Sequence, residues 1–196
     1  MTVDPTGQFV YVANDIDNTI SAYEIVANTG ALLPVPGSPF IAGSFPQSVT
    51  VNPTGQFLCV ANADSRDISA YVVDKTMGSL TPVSGSPFAA VGGSSSLAVD
   101  PAGKFIYAGT TQAVEAFSID PVTGVLAPVN GSPSFTSGEL AGSVAVEPTG
   151  QFLYAATWSN TNPTIHNIWA YSTDKTKGAL TPVPGAPFPT GGSLSQ

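Results

Sequence analysis

A block of about 48 residues recurs four times along the 196-residue chain. Each copy carries a turn made of an acid or Asn, Pro, a small residue and Gly, and the successive turn prolines are 48, 48 and 47 positions apart. Such regular spacing indicates one supersecondary unit copied four times. The turns are Asp4-Pro5-Thr6-Gly7, Asn52-Pro53-Thr54-Gly55, Asp100-Pro101-Ala102-Gly103 and Glu147-Pro148-Thr149-Gly150.

Each copy contains four short segments typical of β-strands, because they are rich in Val, Ile, Phe and Tyr and are bounded by Pro, Gly, Asn and Asp. No segment of helical length has a 3.6-residue apolar period. Proline in the last segment confines it to a sheet edge. In the second copy the segments are Val49-Thr50-Val51, Phe57-Leu58-Cys59-Val60, Ile68-Ser69-Ala70-Tyr71 and Leu80-Thr81-Pro82-Val83.

Four antiparallel strands with a proline-bearing outer strand describe one blade of an all-β propeller, which we favour over a solenoid. The acid before each proline is predicted to accept hydrogen bonds from the turn backbone rather than to form a carboxylate ring in the channel. The four blades are predicted at residues 1–48, 49–96, 97–143 and 144–196.

The repeat resembles the lactonase family of propellers, of the 6-phosphogluconolactonase type, which overlaps with the YVTN repeat proteins. The resemblance rests on Pro-Thr-Gly-Gln-Phe-Leu at 53–58 and 148–153 and on Thr-Gly-Ala-Leu-Leu-Pro-Val-Pro-Gly-Ser-Pro-Phe at 29–40. Members of that family have seven blades, whereas this chain encodes four. The matched residues are turn and core residues, so they specify the fold rather than an activity.

The resemblance also implies a Pro-Arg-His run before the inner strand, which contributes to the catalytic site of such lactonases. Here only Pro46 matches that run, so no catalytic residue is carried over. The corresponding segments are Phe45-Pro46-Gln47-Ser48, Gly93-Ser94-Ser95-Ser96 and Leu140-Ala141-Gly142-Ser143. We therefore expect a noncatalytic binding or scaffold propeller that uses its loop face or channel. The alternative is a lactone hydrolase whose site is assembled from Arg66, His166, Glu139 and loop carboxylates, with residues from two subunits.

The loops after the second strands and the linkers between blades are expected on one face, which collects most of the candidate binding residues. The fourth of these loops, 157–167, is about six residues longer than its counterparts and brings Trp158 and His166 to stack on or hydrogen-bond a ligand. The alternative is a loop that folds over the blade edge or packs at a subunit contact. The candidates are Asp15, Asp17, Asp64, Arg66, Asp67, Glu139, Trp158 and His166.

Catalytic and metal roles are not expected on this face. His166 has no second histidine and no assigned nucleophile to work with. The segments 15–18 and 64–67 lack the run of oxygen ligands and the final Glu of a calcium loop. Cys59, the one cysteine, aligns with strand tyrosines and is expected to be buried. No metal or cofactor is predicted, and a small molecule or a protein remains the expected ligand.

A net charge of −8, with five Lys and Arg against thirteen Asp and Glu, argues against nucleic acid and anionic membranes as partners. No apolar run of 18 residues occurs. A soluble protein is expected, and a signal for export would lie outside this sequence. The compartment stays open.

The repeat register extends to both ends of the sequence. Gly192-Ser193-Leu194-Ser195-Gln196 resembles the linker Gly92-Gly93-Ser94-Ser95-Ser96 that precedes an inner strand, so no strand is left to interlock the ends. This register fits three arrangements. The four blades close alone, or the chain is a piece of a longer protein, or two chains join head to tail in an eight-bladed ring. We favour the homodimer, because a half-ring would leave two apolar blade faces in water.

Overall fold

The computed structural model describes residues 1–135, 139–159 and 166–190. The described chain forms four separate antiparallel sheets, one for each copy of the repeat, with no helix among the described residues. Within each sheet the strands lie side by side in chain order from the inner to the outer edge. The predicted all-β architecture of four antiparallel blades is therefore confirmed.

Each blade has the same four strand positions, here called lanes and counted from the inner to the outer edge of the sheet. The inner strands are β1 (Thr2–Val3), β6 (Pro46–Val51), β11 (Ser94–Val99) and β16 (Leu140–Val146). The second strands are β2 (Phe9–Asn14), β7 (Phe57–Asn62), β12 (Phe105–Thr110) and β17 (Phe152–Trp158). The third strands are β3 (Thr19–Ile25), β8 (Asp67–Val73), β13 (Ala113–Ile119) and β18 (His166–Thr173). The outer lane consists of β4 (Leu32–Pro34), β5 (Phe40–Ile41), β9 (Leu80–Pro82), β10 (Phe88–Ala89), β14 (Leu126–Pro128), β15 (Ser134–Phe135), β19 (Leu180–Pro182) and β20 (Phe188–Pro189).

The outer lane is broken in two, where the sequence predicts one edge strand. In blade 1 both β4 and β5 pair with β3, at opposite ends of that strand. Between them the chain turns, and the amide of Ala22 donates to Oγ of Ser38 at 2.9 Å instead of to a strand carbonyl. The seryl hydroxyl of the Gly-Ser-Pro segment thus satisfies the backbone where the outer strand is interrupted.

The inner strands begin earlier than predicted, at Pro46, Ser94 and Leu140 rather than at 49, 97 and 144. Each contains a β-bulge near its start, where one extra residue faces the second strand. The bulge allows the ladder to continue into the linker, so the segments that the sequence assigns to loops belong to the inner strands.

The Pro-x-Gly turns are held by the residue before the proline, as predicted. Oδ1 of Asp4 accepts the amides of Gln8 and Phe9, both at 2.7 Å, and Oδ1 of Asn52 accepts those of Gln56 and Phe57. Asp100 and Glu147 accept the equivalent amides in blades 3 and 4. These side chains are therefore structural parts of the turns.

The hydrophobic core lies between the blades, as three clusters that each join two successive sheets. Every residue of β7 and β12 is buried, because blades 2 and 3 have neighbours on both faces, whereas exposure alternates along β2 and β17. Cys59 is buried in this core as predicted, and burial raises the pKa of its thiol to about 12.

Candidate functional site

A cavity of about 1040 Å³ opens on the face that carries the linkers and the loops after the second strands. All four blades contribute to its wall. The starts of the inner strands line it together with the ends of the second strands. The lining residues are Ala13, Asp15, Phe45, Pro46, Gln47, Ala63, Asp64, Gly93, Ser95, Thr110, Thr111, Leu140, Ala141, Gly142, Ser143, Ala156, Trp158 and His166.

Three bulge residues, Gln47, Ser95 and Gly142, lie on this wall at equivalent positions of blades 2, 3 and 4. A bulge redirects one side chain relative to the regular alternation of a strand. These are the positions where the resemblance places the arginine of the Pro-Arg-His run. In this chain Gln47 has a neutral amide at this position, Ser95 has a hydroxyl group, and Gly142 has no side chain. The resemblance to the Pro-Arg-His run indicates these segments, but neither Gln47 nor Ser95 is among the binding residues predicted from the sequence.

The serines that follow the bulges connect neighbouring blades. Oγ of Ser48 accepts the amide of Leu97 at 3.2 Å, and Oγ of Ser96 accepts the amide of Val144 at 3.1 Å. Each bond joins one inner strand to the next around the cavity. Ser48 and Ser96, at the positions that the resemblance aligns with the histidine of the Pro-Arg-His run, therefore have a structural role in blades 2 and 3.

Trp158 and His166 face each other across the strand pair β17 and β18, and both line the cavity. The sequence predicts both residues in a loop, whereas the structure has them at the ends of the two strands. The pairing between β17 and β18 is longer than the pairing of the second and third strands in the other blades. Residues 160–165 of the predicted long loop lie outside the described residues. A Cβ on Gly142 would overlap the Trp158 ring, so the indole occupies the space of the missing bulge side chain.

Asp15 and Asp64 also line the cavity, from equivalent loops of blades 1 and 2. Both carboxylates are exposed, and Oδ1 of Asp15 accepts the amide of Ile16 at 2.9 Å. The structure thus brings four of the eight predicted site residues to one wall: Asp15, Asp64, Trp158 and His166.

The other four predicted residues do not line the cavity. Asp17 is exposed on the loop of blade 1. Arg66 occupies the tip of its turn with φ of 56° and is exposed. Oδ1 of Asp67 accepts a 2.7 Å hydrogen bond from Nδ2 of Asn62 within blade 2. Arg66, which the alternative prediction includes, therefore lies outside the cavity wall.

Glu139 is likewise directed into blade 4 rather than into the cavity. Its carboxylate accepts hydrogen bonds from Oγ1 of Thr157 and Nδ2 of Asn167, both at 2.5 Å, and from the Trp169 indole at 3.1 Å. Three donors on β17 and β18 therefore hold the linker against the blade. This is a structural arrangement, and it supports the position of the cavity wall.

Glu115 is a buried carboxylate that sequence reasoning did not single out. It lies on β13 at the position of Ser21, Ser69 and Trp169, and Oε1 accepts the amide of Val91 at 2.7 Å. Burial raises its pKa above the ordinary value, although the amides of Val91 and Gly92 oppose this effect. The only signal in the sequence is the departure from the serine found in blades 1 and 2.

In the described ranges, no three His, Cys, Asp or Glu side chains come together in a way that would hold a metal ion. A search of the same ranges for a helix long and apolar enough to span a membrane also found none.

Comparison with known proteins gives a consistent fold. Residues 1–91 match the family described as lactonase, 7-bladed beta-propeller. No curated protein matches the sequence. Among solved structures, candidate 6-phosphogluconolactonases from Bacteroides uniformis and Bacteroides fragilis share 21% and 22% identity, with TM-scores of 0.78 and 0.79. A periplasmic gluconolactonase from Pseudomonas aeruginosa shares 16% identity with a TM-score of 0.77.

The alignments cover 93%, 93% and 95% of this chain but 52%, 52% and 54% of those three structures. The chain thus spans about half the length of the solved propellers that it matches. At these identities the likeness establishes the fold. The family match over residues 1–91 agrees with it, and the chain has the β-propeller fold of these structures.

Proposed function

We propose that the chain is a lactone hydrolase whose loop-face cavity takes an uncharged, hydroxylated lactone. The observation that carries the proposal is the cavity wall itself, on which His166, two carboxylates and the bulge residues of the inner strands meet in a lactonase-type fold. This favours the alternative from the sequence over the noncatalytic prediction. The proposed site has Gln47 and Ser95 in place of Arg66 and Glu139, and it keeps His166 and the loop carboxylates Asp15 and Asp64.

The charge of the wall favours an uncharged substrate over a phosphorylated one. Asp15 and Asp64 are the acidic lining residues, and no lysine or arginine of the described chain lines the cavity. Proteins recognise phosphate groups mainly with Arg, Lys or helix N-termini. Bringing a phosphate beside two carboxylates would add repulsion without a compensating cation. Neutral donors and acceptors such as Gln47 and Ser95 suit sugar hydroxyl groups.

The chemistry is the addition of water to a cyclic ester. Water attacks the lactone carbonyl carbon, the bond from that carbon to the ring oxygen breaks, and the product is one hydroxy acid. A general base takes a proton from the water, and a proton is returned to the ring oxygen. Histidine is the side chain most often used for such transfers, and we assign this role to His166. The Gln47 amide supplies a donor for the carbonyl oxygen. The Ser95 hydroxyl donates to the carbonyls of Ala141 and Gly142, both at 3.3 Å, so Ser95 offers the substrate an acceptor.

The test compares hydrolysis of an uncharged gluconolactone with that of 6-phosphogluconolactone, after subtraction of the spontaneous rate. We expect the uncharged lactone to have the higher kcat/KM and His166→Ala to lower kcat by about 100-fold or more. Asp17→Asn is the matched control, because Asp17 shares the loop of Asp15 but does not line the cavity. Faster hydrolysis of the phosphorylated lactone would contradict the charge argument.

Noncatalytic ligand binding is the second candidate function. It is favoured by one observation, the replacement of the family's Arg and His positions by Gln47, Ser95, Gly142 and the bridging serines Ser48 and Ser96. Saturable binding of an uncharged lactone, weakened by Gln47→Ala but without turnover, would select this candidate. Absence of both binding and hydrolysis would exclude both functions.

A further inference from the structure

A second cavity, of about 410 Å³, opens on the face opposite the loop-face cavity. It lies between blades 3 and 4, beside the tight turns that end their inner and third strands. Its volume is within the range of small-molecule sites in proteins. The polar residues on its wall are Asp100, Lys104 and Tyr107 of blade 3 and Thr149, Thr173 and Lys175 of blade 4.

Both walls of this cavity belong to a contact between two blades of the same chain. A Cβ on Gly178 of blade 4 would overlap the Phe105 ring of blade 3, and Cδ of Pro101 lies 3.2 Å from the Cβ position of Gly150. Equivalent contacts join blade 1 to blade 2 and blade 2 to blade 3. The cavity is thus a recess in a regular blade junction, and the outer faces of the first and last blades take no part in it.

Two lysines line the cavity, although the whole chain has only five Lys and Arg. Lys75, the equivalent of Lys175 in blade 2, donates to the carbonyl of Thr54 at 2.9 Å. In the described chain, neither Lys104 nor Lys175 has an acceptor for its ammonium group. The residues equivalent to Lys104 in the other blades are Gln8, Gln56 and Gln151. Blades 3 and 4 therefore bring two uncommitted positive charges together at their junction.

Tyr107 contributes a buried donor to the same wall. Its side chain is 1% exposed and lines the cavity. The equivalent Tyr11 donates its hydroxyl to the carbonyl of Gly78 at 3.0 Å, whereas the Tyr107 hydroxyl donates to no group of the described residues. Burial raises the pKa of Tyr107 to about 12, so the hydroxyl keeps its proton at neutral pH. A buried donor is destabilising unless an acceptor reaches it.

The carboxylates near the cavity are already hydrogen-bonded within their own turns. Oδ1 of Asp100 accepts the amides of Lys104 and Phe105, both at 2.6 Å. Oδ1 of Asp174 accepts the amide and the hydroxyl of Thr176, at 2.8 and 2.6 Å. The acceptors are thus used in the turns, while two ammonium groups and one phenolic hydroxyl are not used. A ligand that matches this wall supplies acceptor oxygens and negative charge.

We propose that this cavity binds a phosphate group, with Lys104 and Lys175 beside its charge and the Tyr107 hydroxyl donating to one of its oxygens. A phosphate group has about two negative charges near pH 7 and three strong acceptor oxygens. Lysine binds phosphate as a point charge, whereas the planar fork of arginine suits a carboxylate. Inorganic phosphate and a small phosphate monoester share this chemistry.

The phosphate site is separate from the proposed catalytic wall. A phosphorylated sugar bound here lies on the opposite face from His166, so it is not positioned for hydrolysis in the loop-face cavity. Binding at this site is measured without turnover. The phosphate proposal and the lactonase proposal can therefore fail independently of each other.

Nuclear magnetic resonance of the isotope-labelled chain tests the proposal, with the amides of Gly150 and Lys175 as local reporters. The probes are inorganic phosphate, glucose 6-phosphate and gluconate. We expect both phosphate compounds to shift these amides saturably, and gluconate to bind more weakly because its carboxylate has one charge. Tighter binding of glucose 6-phosphate than of inorganic phosphate would support a monoester as the ligand, and equal binding would support free phosphate. Shifts with neither phosphate compound at millimolar concentration, or tighter binding of gluconate, would overturn the proposal.

The lysine variants test which charges hold the phosphate group. Lys104→Gln introduces the residue that the other three blades have at this position, and Lys175→Ala introduces the equivalent Ala27 of blade 1. Each should raise the Kd for phosphate by about 10-fold or more. Lys177→Ala is the matched control, because it removes the same charge from the same turn but does not line the cavity. Equal losses in Lys175→Ala and Lys177→Ala would mean unspecific attraction and would overturn the site.

Two tyrosine variants separate ligand binding from stability. Tyr107→Phe keeps the ring and removes the hydroxyl, so it should raise the Kd for phosphate by about 5-fold without lowering the unfolding midpoint in urea. Tyr11→Phe is the control with the opposite result, since it loses the hydrogen bond to Gly78 but leaves the phosphate affinity unchanged. Unchanged phosphate affinity in Tyr107→Phe would overturn the assignment of this hydroxyl.

Discussion

Glu139 accepts a 3.1 Å hydrogen bond from the indole nitrogen of Trp169. Blade 3 has a related hydrogen bond in which the positions of donor and acceptor are exchanged. There the acid, Glu115, lies on the third strand at the position of Trp169 and accepts an amide from the linker. In blade 4 the acid is on the linker and the donor is on the third strand. A carboxylate thus joins linker to blade in both repeats, from opposite sides.

Removing the blade 4 carboxylate should loosen this connection. Glu139→Ala leaves Thr157, Asn167 and Trp169 without their shared acceptor, and hydrogen bonds to charged groups contribute about 1.5–3 kcal/mol each. We expect the free energy of unfolding to fall by about 3 kcal/mol in denaturant titrations. Asp17→Asn is the control, and an equal loss there would contradict the assignment.

Glu115 should make stability depend on pH in the opposite direction from most carboxylates. Its folded pKa is raised by burial, so the folded state binds a proton more tightly than the unfolded state, whose value is near 4.5. Its favourable contribution is present below pH 4.5 and is lost as pH rises through the folded pKa. Glu115→Gln keeps an acceptor for the Val91 amide, so the variant should gain stability relative to wild type as pH rises from 4.5.

Denaturant unfolding at a series of pH values measures this effect. The difference in unfolding free energy between Glu115→Gln and wild type should increase with pH and then level off. Glu24→Gln, on an exposed position of β3, is the control and should show no such increase. A constant difference across the series would contradict the proposed role of burial.

The turn carboxylates should cause acid destabilisation. Hydrogen bonds from the Thr149 hydroxyl and amide lower the pKa of Glu147 to about 2 from 4.5. Its contribution to stability is present above pH 4.5 and is lost as pH falls through about 2. Glu147→Gln should flatten the fall of unfolding free energy over that interval. Asp120 and Asp174, whose pKa values hydrogen bonds also lower, should sustain a smaller residual dependence.

The fold was largely predictable because turn and strand signals recur in every copy. Asp4 and Asn52 accept equivalent backbone hydrogen bonds in the turns of two different blades. The same turn signal therefore occurs four times in the sequence, and each copy supports the same prediction. The bulges were not predictable, since Gln47 and Ser95 share no residue type and their conformation depends on pairing with the second strand. The sequence alone therefore predicts starts for the inner strands that are too late.

The site was harder to predict than the fold. Asp15 and Asp17 are two positions apart on one loop, yet only Asp15 lines the cavity, because loop residues diverge without a strand period. The sequence predicts Glu139 on the loop face, but three donors that are distant in sequence, of which Thr157 and Trp169 are buried, draw it into blade 4. Such contacts arise from tertiary packing that the repeat pattern does not encode.

Gly142 and Trp158 provide a direct test of the cavity wall. Gly142 lacks positive φ, so Gly142→Ala introduces no backbone strain, but its Cβ would overlap the Trp158 ring. Displacing the indole should cost about 1–3 kcal/mol of stability and shift its fluorescence emission to longer wavelength. Ser143→Ala, the adjacent and exposed position, is the control and should change neither quantity.

The double variant separates this overlap from other effects of the alanine. Trp158→Ala removes the ring, so adding Gly142→Ala to it should cost almost nothing, and the two substitutions should be strongly non-additive. Lactone binding should weaken in Gly142→Ala and in Trp158→Ala alike, because both alter the same part of the wall. Additive losses would mean that Gly142 is required for a reason other than space for the indole, and the bulge of blade 4 would then have a role independent of Trp158.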